Sequence, residues 1–493
     1  MLFAYLTLFA CVLLMVQLLH NNHQKTNKLP PGPVGIPILG YLPFLDVFHL
    51  GKSFKSLGKK FGDVFSLKVG TELAVVLNSY EAIKKAFSQD ELTSRPDTFM
   101  FRFFSHGEHG IASASGEKWK VQSKFAQTQF KKLGAGSAKM EQFIQDEVDD
   151  LVNGLEVKSE NCKKPVEIGF EINVAVANVM WAMLTGERRP HDDPLLLSLL
   201  KAVNRCIELA TTSGVLLFMP FLVKFLPECL FGITEMRRLM KKTYGYLREV
   251  IEQHKLNPSA EGEDSKDFID AFLKESNKVD KHESFNDFQL EVLCSELFGA
   301  GGEPTSVTLK WAIRYLAKNP EVQRKAQAEL KKIVGNRKVT LADRQNMPYV
   351  QAMIMDLIRL SDIHPIGVMH SPNKDTIIDG YHVPKGTFIF PNFHKVHRDT
   401  EFWEKPEELC PEHWLDTNGN FVSKHDGFLS FGTGKRRCPG HDIALMELFL
   451  FLTNLMQKFT FNLAPGDCGK VESTAGCVVS PKPYPISLSP RMG

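Results

Sequence analysis

The stretch "SELFGAGGEPTSVTLKWAIRYL", residues 295–316, constrains the fold more than any other. Apolar residues recur at helical spacing on both sides of its centre: Leu297 and Phe298, then Leu309, Ala312, Ile313 and Leu316. The centre itself carries Gly299, Gly301, Gly302 and Pro304. Inside a helix a glycine costs about 1 kcal/mol and a proline about 3 kcal/mol. Pro304 also has no N–H for the carbonyl of Ala300. Either a loop joins two helices here, or a long buried helix is interrupted where another molecule lies against its backbone.

A chain of 493 residues can bury one large core or two to three ordinary ones. Its net charge of +2 leaves no electrostatic footprint for nucleic acid. The cysteines, at 11, 162, 206, 229, 294, 410, 438, 468 and 477, are scattered, without a CxxC pair or zinc-ligand spacing. That argues against a disulfide framework and for a reducing compartment.

Residues 1–20, "MLFAYLTLFACVLLMVQLLH", contain no Lys, Arg, Asp or Glu. About 20 apolar residues match the thickness of a bilayer core. No basic stretch precedes the run and no small-x-small site closes it, so a retained anchor is expected rather than a cleaved signal. Lys25 and Lys28 favour a cytosolic body. Residues 29–40, "LPPGPVGIPILG", are too rich in proline for a helix and predict a stiff, extended connector. The chain thus divides into an anchor (1–20), a basic and proline-rich hinge (21–40) and one large body (41–493).

Within the body, residues 61–79 read as strands broken at Gly70-Thr71. The pattern then stays mostly helical to about residue 373, with a polar loop at 254–267. A hairpin is expected around Asp379-Gly380, and a last helix over 441–459. The fold class is mainly α with small β-sheets (α+β), in a single domain. Residues 211–232 are apolar but split by Pro220 and Pro227, which suits either buried core or a surface dipping into a bilayer.

"FLSFGTGKRRCPGHDIALME" carries the chemistry. Cys438 sits among Gly432, Gly434 and Gly440, after Lys435, Arg436 and Arg437, and directly before a helix. Cations and helix N-terminal N–H groups favour a thiolate, and glycines let the backbone approach a flat ligand. With Phe431, the set Phe-x-x-Gly-x-Arg-x-Cys-x-Gly resembles the haem-binding signature of the cytochrome P-450 superfamily. The resemblance runs over nearly the whole chain, through "GEKWK", "DFIDAFLKE", "GYHVPKGT", "NFHKVHRD" and "PEHWLD". It looks most like the microsomal steroid- and xenobiotic-oxidising type of animals.

The resemblance implies a cytochrome P-450 fold, haem b as cofactor and Cys438 as its axial thiolate, which favours O–O cleavage. Ala300, Gly301 and Glu303 match the family's bent helix over the haem. Trp119, His370 and Arg436 match its propionate contacts. Three departures stand out. Pro304 replaces the threonine whose hydroxyl helps deliver protons. Thr305 follows, but about 100° further around the helix. Asp356 replaces glutamate in the Glu-x-x-Arg pair with Arg359, shortening its reach to Arg359 and His413. Ser123 stands where the propionate arginine is expected, leaving Lys124 as an imperfect substitute.

The activity implied is a haem-thiolate monooxygenase hydroxylating or epoxidising a lipophilic molecule: a steroid, lipid hormone or xenobiotic. Electrons would come from NADPH through the NADPH-cytochrome reductase, with cytochrome b5 as a second partner. Lys435 and Arg437 would face the reductase. Glu303 and Thr305 would serve proton delivery. The expected location is the endoplasmic-reticulum membrane, with the body in the cytosol. Residues 95–112, with four Phe, match the family's variable loop, and Phe298 and Ile366 its pocket lining. The rival readings are a reductase-independent peroxide isomerase or dehydratase, and a haem-binding protein that has lost oxygen activation.

Overall fold

The computed structural model describes residues 29–491, apart from 135, 261, 475 and 477. The expected anchor at 1–20, with Lys25 and Lys28, lies outside the described residues. Among those described, no helix is long and apolar enough to cross a membrane.

The helices that build the body are, in order, α1 (Leu50–Phe61), α2 (Tyr80–Phe87), α3 (Phe99–Ser105), α4 (Gly116–Gln129), α5 (Ala138–Lys158), α6 (Gly169–Thr185) and α7 (Pro194–Thr212). They continue with α8 (Ile233–Leu256), α9 (Phe268–Ser276), α10 (Asp287–Lys318), α11 (Pro320–Val334), α12 (Pro348–Ser361), α13 (Phe393–His397) and α14 (His441–Lys458). Strands β1 (Val64–Val69) and β2 (Glu72–Leu77) form an antiparallel pair turned at Gly70-Thr71, as the sequence predicts. Strand β3 (Val166–Glu167) lies far along the chain from them. Then come the hairpin β4 (Thr376–Ile378) and β5 (Tyr381–Val383), β6 (Phe388–Pro391), β7 (Phe459–Leu463) and β8 (Pro485–Pro490). The β4–β5 turn falls at Asp379-Gly380, both with positive φ, as a tight hairpin requires. Strand β6 pairs parallel with β2, and β8 lies between β3 and β7. The expected α+β body with small sheets is therefore present.

The central stretch is not broken. Helix α10 runs for 32 residues straight through the glycines and Pro304, capped by the Asn286 side chain, which accepts from Gln289 N–H. Neither a loop nor an interruption occurs there. The glycines serve packing instead. A Cβ on Gly301 would come within 2.6 Å of Met180 Sδ, and one on Gly302 within 3.7 Å of Ala177, both on α6. Burial outweighs the local cost. A proline costs about 3 kcal/mol. Each buried large apolar side chain returns about 1.5–3 kcal/mol, and α10 buries Leu290, Leu293, Leu297, Phe298, Leu309, Trp311, Ile313 and Leu316.

The proline-rich connector is fastened to the body from residue 30 onward. Ser66 N–H donates to Pro31 O at 2.8 Å and Ser66 Oγ to Pro30 O at 2.6 Å. Residues 211–232 are part core and part surface. Leu216, Met219 and Phe231 are buried, whereas Phe225, Leu226 and Leu230 are exposed.

Asp356 reaches further than its length suggests. Arg359 Nε donates to its Oδ1 at 2.7 Å and Nη2 to its Oδ2 at 3.1 Å, with both side chains fully buried. Cys410 N–H donates to Oδ2 at 2.7 Å, and His413 Nδ1 lies 3.2 Å from Oδ1. Arg359 also donates to the carbonyls of His397, Pro406 and Glu408. The shorter acid thus retains both contacts, because the segment after Glu408 closes onto it. Asp356→Ala strands a buried guanidinium and should cost about 3–5 kcal/mol. A denaturant titration would detect this as a lowered midpoint; an unchanged midpoint would show the network to be dispensable.

Candidate haem site

The loop before α14 is shaped by its glycines. Gly432 and Gly434 both take positive φ, and a Cβ on Gly434 would lie 2.1 Å from Phe87 O. Cys438 N–H donates to Phe431 O at 2.8 Å, closing the loop. Cys438 is exposed to a water-sized probe, yet burial pushes its thiol pKa up against the Gly440 N–H and Arg437. Cys438 lines a surface depression with Phe130, Gly434 and His441. Ala300 on α10 is also exposed, although Leu297, Phe298 and residues 305–309 around it are buried.

The expectation that the neighbouring cations hold a thiolate is met only by Arg437. Lys435 pairs with Asp90. Arg436 turns away, donating through Nε to Thr93 O at 2.7 Å, through Nη1 to Ile111 O at 3.0 Å, and through Nη2 to Ala114 O. A metal cation bound at sulfur supplies the missing charge, since a coordinating thiol is deprotonated outright.

On the segment before Cys438, Arg436 joins a cradle of cations. The Arg436 guanidinium sits 3.9 Å above the Trp119 ring. Arg95 Nε donates to Ala112 O at 3.1 Å and its Nη1 to Met369 O at 2.9 Å. His370 Nδ1 donates to Leu92 O at 2.6 Å, and its ring stacks on Phe87. Burial pushes Arg436 down to about 8, with Arg95 adding to the shift and Glu296 opposing it. Burial likewise lowers Arg95 to about 10, against Glu296. Among the described residues no carboxylate hydrogen-bonds to either guanidinium. Two desolvated guanidiniums without a bound acid suit a ligand that brings two carboxylates, as haem b does with its propionates.

The sequence-derived residues divide accordingly. Trp119, His370, Arg436 and Cys438 come together. Lys124 does not: it is exposed, five residues on from Trp119 and off the face that Trp119 and Ser123 share. Arg95 instead lies beside Arg436 and His370. Ser123 is buried, and its Oγ accepts from Gln127 Nε2 at 3.1 Å. Glu303 is half-buried on α10. Thr305 is buried and turned toward α14, away from the position of Pro304. There it meets Glu447, fully buried, with Oε1 unpartnered. Burial pushes Glu447 up to about 8, against the Thr305 hydroxyl, whose hydrogen bond favours the ionised form.

Two further residues escaped the sequence reading. Glu296 Oε2 accepts from Ile111 N–H at 2.7 Å and Ala112 N–H at 3.1 Å, and Gln289 exchanges hydrogen bonds with Gly110. Together they tie the 95–112 loop to α10. Burial pushes Glu296 up to about 7, against those two N–H groups.

An exposed cysteine with a desolvated thiol in a glycine-shaped loop, with two guanidiniums nearby that no acid hydrogen-bonds among the described residues, fits a haem-thiolate oxidoreductase. The cytochrome P450 family model matches residues 30–488. The chain is 34% identical over 491 residues to cytochrome P450 2D4 of Rattus norvegicus, covering 97% of this chain and 96% of the relative. It is 34% identical over 483 residues to cytochrome P450 2J2 of Homo sapiens, covering 96% and 93%. It is 32% identical over 482 residues to cytochrome P450 2L1 of Panulirus argus, covering 95% and 96%. The chain therefore belongs to the cytochrome P450 family. It is a monooxygenase, an oxidoreductase that incorporates oxygen, of the microsomal type associated with the endoplasmic-reticulum membrane. The family's cofactor is haem b with a cysteine thiolate as axial ligand; bound, it supplies the iron at which dioxygen is reduced.

Arg95→Leu and Arg436→Leu should each lower the haem bound per polypeptide, and Lys124→Ala should not. Haem extraction and protein quantification decide this. Equal loss in all three variants would remove Arg95 from the cradle and restore Lys124.

Proposed function

We propose that Cys438 ligates the haem iron and that Trp119, Arg95, His370 and Arg436 hold the propionates. The enzyme hydroxylates or epoxidises a lipophilic small molecule, with electrons from NADPH passed through its reductase or cytochrome b5. One observation carries the reading: Cys438 is exposed yet its thiol is desolvated, near the half-buried guanidiniums of Arg95 and Arg436, which no carboxylate hydrogen-bonds among the described residues. A surface depression of about 230 Å³, lined by Cys438 itself with Lys131, Lys435, Arg437 and one acid, Asp442, supports docking of an acidic redox partner. Phe298, Ile366 and the aromatics of the 95–112 loop suit an apolar ligand.

Glu303 supplies protons on the distal side. Thr305 serves only through Glu447, because its hydroxyl is turned that way. Pro304 has no hydroxyl to offer, which favours one second reading: a substrate that brings its own oxygen as a peroxide, rearranged or dehydrated without a reductase.

The chain lacking residues 1–28 should give the strongly red-shifted carbon-monoxide difference band of a thiolate-ligated haem. With reductase and NADPH it should consume oxygen, and Pro304→Thr should raise the product formed per NADPH. A red-shifted band with turnover of hydroperoxides but none with NADPH would establish the second reading. A spectrum without the shifted band would overturn both.

The membrane association is expected to involve residues 1–20 as a single anchor with the body cytosolic. Beside it a second apolar surface contributes. Gly70 N–H donates to Leu39 O and Thr71 N–H to Phe218 O, so the connector and the 211–232 segment meet at the β1–β2 turn. Ile38 on the connector, Phe44 and Phe48 just after it, and Phe225 and Leu230 on the second segment are exposed. The chain lacking 1–28 should still sediment with phospholipid vesicles, less so as Phe225→Asp/Leu230→Asp. Identical sedimentation of the two would confine membrane binding to other parts of the surface.

A further inference from the structure

The chain that leads into Cys438 is fastened to the body by a buried histidine that the haem reading does not use. His397 closes α13 and is almost fully buried. Leu429 N–H donates to His397 Nε2 at 3.1 Å. Among the described residues this is the one backbone N–H of 425–438 whose hydrogen bond leaves that segment. From there the ties run on to the cysteine. Gly432 N–H donates to Leu429 O at 2.8 Å, and Cys438 N–H to Phe431 O at 2.8 Å. Ser430 Oγ stands 3.5 Å from the same ring nitrogen, a longer and weaker contact.

The contact fixes which ring nitrogen carries the proton. A backbone N–H only donates, so Nε2 is the bare, accepting nitrogen. Nδ1 then carries the hydrogen and donates to Asp362 Oδ1 at 3.0 Å. Asp362 takes positive φ directly after α12, and its Oδ2 lies 2.6 Å from His394 Nδ1. A protonated ring would aim an N–H at the N–H of Leu429. Burial pushes the pKa of His397 down, with Asp362 opposing the shift and Arg398 and Arg359 adding to it. The main chain is held as well: His397 O accepts from Arg359 Nη1 at 3.0 Å, and Trp403 Nε1 donates to Val396 O at 3.0 Å. One residue thus joins the buried Asp356–Arg359 pair to the cysteine loop.

We propose that His397 is a positioning residue for Cys438: as the neutral Nδ1–H tautomer it clamps Leu429 to the end of α12 and so fixes the backbone from which the cysteine loop departs. The inference rests on Cys438 ligating the haem iron. The physical motive lies in the loop itself. Gly427, Gly432 and Gly434 give this segment backbone freedom and no side chains with which to pack, so its restraint has to come from outside. A sulfur whose backbone drifts loses its place opposite a metal, and the thiol is then free to take back its proton.

The test is the carbon-monoxide difference spectrum of the haem-loaded full chain in two variants that separate the ring's two contacts. In His397→Gln the side-chain oxygen reaches the place of Nε2 and accepts from Leu429 N–H. In His397→Asn the amide reaches only the place of Nδ1, keeping Asp362 and dropping Leu429. On mild warming His397→Asn should convert the red-shifted band to the unshifted one about five- to tenfold faster than wild type, the factor carried by one net hydrogen bond, and His397→Gln should stay within about twofold. Exchange of the Leu429 amide hydrogen should quicken in His397→Asn and stay slow in His397→Gln. Equal conversion and equal exchange in the two variants overturn the clamp. So does wild-type exchange of Leu429 N–H as fast as that of the exposed Lys424, a measurement that requires no variant to fold. Absence of the red-shifted band in the wild type would instead overturn ligation by Cys438, and the Leu429 exchange would still decide the clamp.

Discussion

The close contact of α6 with α10 is the constraint on which the rest of the molecule depends. Two glycines set it: with a Cβ on Gly301, Met180 would have to move, and Gly302 rests on Ala177. With its backbone pressed against α6, α10 leaves Ala300 exposed and turns Thr305 toward Glu447. The same contact brings Lys310 over Gly169. A wider separation would shift each of these together, because a helix is a rigid rod and cannot re-aim one residue alone.

The departures from the family pattern have unequal consequences. Asp356 is absorbed: the chain after Glu408 supplies a backbone N–H, and Arg359 stays bidentate. At Ser123 a hydroxyl that accepts from Gln127 stands in the arginine's place, and Arg95 lies beside Arg436 from another segment. Pro304 is not absorbed by any neighbouring hydroxyl. Ser306 and Thr308 both spend theirs on backbone carbonyls one turn back, those of Glu303 and Pro304. Chemistry at that point must therefore run through groups other than a side-chain alcohol on this face of α10.

Local features were legible in the sequence and tertiary ones were not. The turns at Gly70-Thr71 and Asp379-Gly380 follow from backbone preferences of the residues themselves, and the Cys438 loop from its spacing of glycine, arginine and cysteine. The continuity of α10 through Pro304 was hidden, because the decisive term is apolar area buried against α6, which no local propensity contains. Arg95 was read only as the start of an aromatic loop. Its position before Pro96, where the chain must be extended, was the available hint that it points inward. Glu447 left a clearer trace: a single acid within "ALMELFLFL", on a helix buried all round. Glu296 and Gln289 sit on a helix whose partner loop is about 180 residues away in sequence, and no pattern announces that contact.

Arg95 and Arg436 are held by six carbonyls, those of Thr93, Ile111, Ala112, Ala114, Val368 and Met369, most of them in or beside the 95–112 loop. The two guanidiniums and the 95–112 loop are thus one hydrogen-bonded object. Linkage of affinities then runs both ways: a ligand that orders this loop tightens the binding of whatever acid the guanidiniums hold by the same free energy with which that acid orders the loop.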